Sequence, residues 1–151
     1  MANSIDCPVD LIPVNENRVR LTALWVFLLV VTALLLNKFG HFVFAFLTVD
    51  FFLRAFKYGK ISPLNILSGA VVKKLNIPNK PIDQAPKRFA AGIGFVLSLA
   101  VFVFIITGFS KTVIVLSIIF AAFAFLESFL AFCAGCRVYT LLVRLKLIRK
   151  Q

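Results

Sequence analysis

The chain has 151 residues, 61% of them hydrophobic and 15% charged, with a net charge of +11, and its mean hydropathy is +0.98. A soluble domain of this size leaves roughly a third of its extended-chain surface in water, and too little polar sequence is present to cover it, so the composition excludes an ordinary soluble domain. The cations cluster at the ends of apolar runs, which suits anionic lipid headgroups and argues against nucleic acid.

Residues 1–17 are polar, carry Asp6, Asp10 and Glu16, and lack the apolar core of a signal peptide. The first apolar run, 21–36, holds no charge and predicts a span over about 19–37. Trp25 lies near its start, as an interfacial anchor would. A second run, 39–56, follows Asn37 and Lys38 at once, with Gly40 placed to absorb the reversal. Within it Asp50 and Arg54 are four apart and predict an ion pair on one helix face.

Residues 57–88 read as a loop, with prolines at 63, 78, 81 and 86. Inside it "SPLNILSGAVVKKL" predicts one helix, with Ser62 as N-cap and Pro63 at the first helical position. Leu64, Leu67, Val71 and Leu75 would form its apolar face, giving an amphipathic helix in the membrane interface.

The third run, 89–109, is uncharged, and Gly92, Gly94 and Ser98 offer a small surface for helix packing. Its "GIG" lacks the strand–turn–helix setting of a nucleotide loop. The fourth, about 112–135, is interrupted only by Glu127, and its helix is expected to continue past Cys136 along the membrane surface. The expected fold is therefore all-α: a single polytopic membrane domain over 1–151 with four transmembrane helices.

Two cations precede the first span, eight lie from Arg54 to Arg88 and five in the tail, against Lys38 and Lys111 on the other side. By the positive-inside rule both termini and the central loop are cytoplasmic. The fourth helix then ends inward, so Cys133, Cys136 and Cys7 all belong to the cytoplasmic side.

At i and i+3 on a helix, Cys133 and Cys136 share a face. Three readings stay open: a redox pair, a clamp for a soft metal, and small apolar packing residues. Arg137 favours the thiolate, whereas a helix C-terminus disfavours it. An odd number of cysteines argues against a secreted disulfide framework.

Glu127 falls six residues before Cys133, about 9 Å along a helix. A carboxylate within the hydrocarbon is a functional candidate. It is expected to relay protons, to pair with Arg54, Arg88 or His41, or to rest protonated against Ser98, Ser117 or Ser128. His41, the only histidine, falls near the outer face, away from the cysteines. No Ser-His-Asp set or phosphate-cradling loop supports hydrolase or kinase chemistry.

The opening "CPVDLIPVNENRVRLTA" and the closing "FCAGCRVY" together resemble a family of small bacterial membrane proteins that carries a domain-of-unknown-function label. The resemblance runs over essentially the whole chain and brings no established activity. It implies a bacterial inner membrane, a thiol or sulfur role and thioredoxin-like or sulfurtransferase partners, with Cys7, Cys133 and Cys136 as the matched positions.

Three functions follow as expectations. The first is a membrane thiol-disulfide or sulfur-handling protein, with Cys133 and Cys136 as the pair, Cys7 as the resolving thiol and a quinone as a compatible partner. The second is a carrier for a soft metal ion such as copper, mercury or zinc, held by the same three cysteines. The third is a non-enzymatic scaffold with a basic face for anionic lipid.

Overall fold

The computed structural model describes residues 13–36, 38–130 and 134–145, with 83, 85 and 134–136 described by backbone alone. The first helix, α1 (Glu16–Leu36), starts before the expected edge at 19. The reason is a local cap: Asn15 Oδ1 accepts from the Asn17 N–H at 3.0 Å, satisfying one of the donors left open at a helix start. Trp25 is half-buried against the core rather than free at a rim.

The turn into α2 (Gly40–Ala55) is made by Lys38 and Phe39. Gly40 is already the first helical residue, and the reversal expected of it falls ahead of it. After α2, Lys57 takes a left-handed φ of 69° and the chain reaches α3 (Pro63–Lys74). Ser62 and Pro63 start α3 as expected, with Ser62 Oγ accepting from the Asn65 N–H at 3.3 Å.

Against the bundle α3 buries a different stripe from the apolar face expected to lie in the interface. Leu64, Ser68 and Val72 are buried, whereas Leu67 and Leu75 are exposed. The stripe at i, i+4 and i+8 wins because the Ser68 hydroxyl has partners there. It donates to Leu64 O at 2.8 Å and accepts from Thr22 Oγ1 at 2.9 Å. Above the adjoining Gly69 lies the Arg18 guanidinium, so close that a Cβ would fall 2.8 Å from Arg18 Cζ.

Two strands join the otherwise helical fold: β1 (Pro13–Asn15) and β2 (Pro81–Asp83) pair antiparallel, with Val14 opposite Ile82. At three residues each they are too short for a period-two pattern to show. The Glu16 N–H donates to Lys80 O at 2.9 Å and Asn17 Nδ2 to Pro78 O at 2.9 Å, fastening the start of α1 to the end of the central loop.

The next helix, α4 (Gln84–Thr107), also starts early, at 84 rather than 89. Pro86 sits in its first turn, where the missing N–H has no helical partner to lose. Gly108 then reverses the chain with φ of 81°, a conformation glycine reaches without a side-chain clash. It leads into α5 (Ser110–Leu130), and α6 (Ala134–Arg144) follows.

Packing runs chiefly between α2 and α4 and between α1 and α5. Val26, Val30, Phe44, Leu47, Phe51, Val101 and Phe120 form the core. Gly94 lets α4 close on α2, since a Cβ there would lie 2.6 Å from the Phe51 ring. Gly92 has open space instead and does not serve packing. The outside is apolar as well: Leu35 is 79% exposed, Ile106 69% and Phe42 67%. Water does not tolerate such a surface at this density, whereas acyl chains do. Among the described residues three helices, α1, α4 and α5, are long and apolar enough to cross a membrane. The chain is a helical membrane protein.

Candidate functional site

The antiparallel hairpins α1–α2 and α4–α5 bring the start of α1, the end of α2, the start of α4 and the end of α5 to one end of the bundle, together with α3, α6 and the strand pair. Three further side-chain links tie this end, beside those that hold α1 to α3 and to the central loop. Arg20 Nε and Nη2 donate to Ser128 O at 3.0 Å and Phe129 O at 3.1 Å, closing the last carbonyls of α5 with a cation. Lys87 Nζ on α4 meets Glu127 Oε1 on α5 at 3.1 Å. Asp50 on α2 reaches the start of α3.

Asp50 does more than pair with Arg54. Its side chain is fully buried, and Oδ1 accepts from Ser62 Oγ at 2.6 Å and from the Leu64 N–H at 3.2 Å. A carboxylate at a helix start is favoured by the open N–H groups and by the dipole. Arg54 Nη1 lies 3.8 Å from Asp50 Oδ2, an ion pair without a hydrogen bond. The expected i, i+4 pair is present, but the anchoring of α3 is the closer contact. No local sequence signal shows this, because Ser62 and Leu64 come after an intervening turn.

Glu127 is paired, and with a residue that sequence reasoning missed. Its partner is Lys87, not Arg54, Arg88, His41 or one of the three serines. Forty residues separate the two in sequence, so no periodicity could join them. The sequence places Lys87 in the loop; the early start of α4 is what carries it onto a helix facing α5. The charge of Glu127 is thereby compensated.

Between these groups lies a cavity of about 190 Å³. Phe51, Phe120, Phe123 and Gly94 contribute its apolar walls, and Arg54 and Glu127 its polar groups. Val138 of α6 also reaches it, while the Tyr139 ring of α6 lies tilted against that of Phe89 on α4 with ring centres 5.3 Å apart. A largely apolar hollow with a few convergent polar groups is the usual form of a small-molecule site.

Of the expected site residues, Cys7 and Cys133 lie outside the described residues. Cys136 falls in the first turn of α6, described by backbone alone. His41 is exposed at the opposite end, beside the Phe42 ring at 4.1 Å. Among the described residues no three His, Cys, Asp or Glu side chains converge as a metal set.

The model of one family, described as "Domain of unknown function (DUF4395)", matches residues 14–144. That segment takes in Cys133 and Cys136 and begins after Cys7. No curated protein matches the chain, and no solved structure does. With most of its length matched, including every helix of the bundle, the chain belongs to the DUF4395 family.

Proposed function

We propose that the protein is a bacterial inner-membrane thiol-disulfide or sulfur-handling protein whose reactive groups are Cys133, Cys136 and Cys7. What supports this reading is that the described segments nearest these positions, β1, the end of α5 and the start of α6, belong to one end of the bundle. The end of α5 and the start of α6 flank residue 133, and Arg20 ties the start of α1 to the end of α5. Cys7 precedes β1 by six residues, a reach of at most about 20 Å.

Four spans and cytoplasmic termini belong to the proposal. With sixteen residues, α2 is about 24 Å long, short of a hydrocarbon core of about 30 Å. The β1–β2 pair supports its crossing nonetheless. Residues 13–15 and 81–83 meet, so an even number of crossings separates them, and α2 is the long apolar helix available to return after α1. Local thinning of the bilayer accommodates a short span. Fifteen of the seventeen cations then fall on the cytoplasmic side, and the outward Ile66 and Leu67 of α3 would rest in that interface.

In the reaction, the Cys133 thiolate attacks a sulfur of a disulfide in a thioredoxin-like partner. One partner thiolate leaves, and a mixed disulfide joins the two proteins. Cys136 attacks Cys133 Sγ and releases the second partner thiolate. The partner disulfide is reduced to two thiols and the pair is oxidised to a disulfide; attack by Cys7 would move that disulfide onto Cys7 and free one thiol of the pair, with no net change in oxidation state. A sulfurtransferase persulfide would enter by the same attack, handing its outer sulfur to Cys133.

The test is a thiol count on purified, solubilised protein with and without reductant, with metal analysis. One free thiol rising to three on reduction, without metal, supports the proposal. Masked thiols with stoichiometric soft metal would replace it by the carrier. Three thiols that stay free under mild oxidant, without metal, would replace it by the scaffold.

A further inference from the structure

We infer that the cavity between α2, α4 and α5 binds a neutral, lipid-soluble ring compound bearing a carbonyl oxygen, of the quinone class. The argument begins with Arg54. Its side chain is 16% exposed, and Nη1 is 3.8 Å from Asp50 Oδ2, beyond hydrogen-bond reach. Its other recorded contact is the Phe51 ring, 5.1 Å from Cζ. A guanidinium carries five N–H donors, and those of Arg54 are not among the buried atoms without a partner, so they keep access to open space. Those of Arg54 line a hollow and meet no acceptor within hydrogen-bond distance among the described residues. An acceptor brought in by a ligand would complete them.

Charge decides which acceptor. Asp50, Arg54, Lys87 and Glu127 sum to zero, and Glu127 itself lines the cavity. An anionic headgroup would gain Arg54 but face the Glu127 carboxylate. A carbonyl oxygen accepts the same hydrogen bonds without that repulsion. The remaining lining is aromatic and aliphatic, with Phe51 and Phe120 edge to face at 5.6 Å. Such walls favour a flat ring, and about 190 Å³ accommodates a substituted six-membered one. The ligand would enter from the bilayer, where quinones partition.

Binding stands independently of the cysteines; its use as an electron sink rests on the thiol reading. There, with the exchange run in reverse so that a partner dithiol reduces the Cys133–Cys136 disulfide and is itself oxidised, the pair closing again would pass two electrons and two protons to one quinone, giving quinol.

The experiment uses the full chain in lipid nanodiscs, titrated with a short-chain ubiquinone analogue. The single tryptophan, Trp25, neighbours the lining residue Val26 and reports occupancy by quenching. Saturable quenching is expected, weakened about tenfold by Arg54→Gln, the loss of a charge-assisted hydrogen bond. Ala124→Leu, which fills the cavity, should weaken it as well, so a folding failure in one variant leaves the other to decide. The same saturation should persist when all three cysteines are serine; its presence there with no disulfide in the native chain would sink the thiol reading and keep the site. Non-saturable quenching, equal in all folded variants, would overturn the inference. Competition by oleate as strong as by a second quinone would overturn it too, in favour of an anion site.

Discussion

The two ends of the bundle are built differently. At the far end, α1 turns into α2 through Lys38 and Phe39, and α4 into α5 through Gly108. Phe39, Phe42 and Phe109 stand exposed there. At the near end the chain adds α3, a strand pair and α6, and buries Asp50, Ser62, Ser68 and Thr22 in hydrogen bonds. A bundle needs only short turns to fold back on itself. The extra elements at one end are therefore not demanded by span packing, and they are where the ion pair, the cavity and the start of α6 meet.

The contrast breaks most sharply at Asp50. Removing its carboxylate leaves Ser62 Oγ and the Leu64 N–H buried without an acceptor and frees α3 from α2. Asp50→Ala should cost about 3 kcal/mol, the size expected when one partner of a buried charged network is lost. The denaturant midpoint in mixed micelles measures it, with earlier proteolysis in residues 57–80 as the local sign. A loss below about 1 kcal/mol, within the range of an ordinary single hydrogen bond, would mean that α3 is held by α1 alone.

Two glycines sharpen the comparison within a single helix. Gly94→Ala drives a methyl into the Phe51 ring and should cost about 2 kcal/mol, as overpacking does. Gly92→Ala meets open space and should be neutral or stabilising by up to about 1 kcal/mol through helix propensity. Thermal unfolding of the two variants in one detergent reads the difference. Equal effects would show that the α2–α4 contact is not close.

A smaller effect is expected at Glu127. Side-chain exposures of 16% for Lys87 and 22% for Glu127 place their pair between buried and surface cases. Glu127→Gln should cost about 1–2 kcal/mol. A double-mutant cycle with Lys87→Met should return a coupling of about 1 kcal/mol. Zero coupling would dismiss the ion pair as a tie between α4 and α5.

These residues also mark how far the sequence could be read. Long uncharged runs announce α1, α4 and α5, because only lipid rewards them, and Ser62 with Pro63 announces the start of α3 locally. Asp50–Arg54 was legible as a spacing. Its larger task was not, since the α3 start it holds lies beyond a turn whose path no pattern reveals. Lys87–Glu127 needed α4 to begin at Gln84, and the prolines before it read as loop. The face that α3 turns to the bundle was not legible, because the Ser68 hydroxyl finds its partner on Thr22, far off in sequence. The cysteine motif could be found from sequence; its geometry lies outside the described residues.

The smallest effect is expected at the far end, and it tests whether that end is only a turn. His41 is exposed and touches Phe42, and no hydrogen bond or ion pair holds it among the described residues. His41→Ala should change stability by less than about 0.5 kcal/mol, the range of surface substitutions. It should also leave quinone quenching unchanged, because the cavity lies at the opposite end. A variant that keeps its fold but loses quenching would mean that the two ends are coupled through α2, along the core from Phe44 to Phe51. The near end would then not be a separate functional unit, and the division drawn between the ends would fail at the helix that joins them.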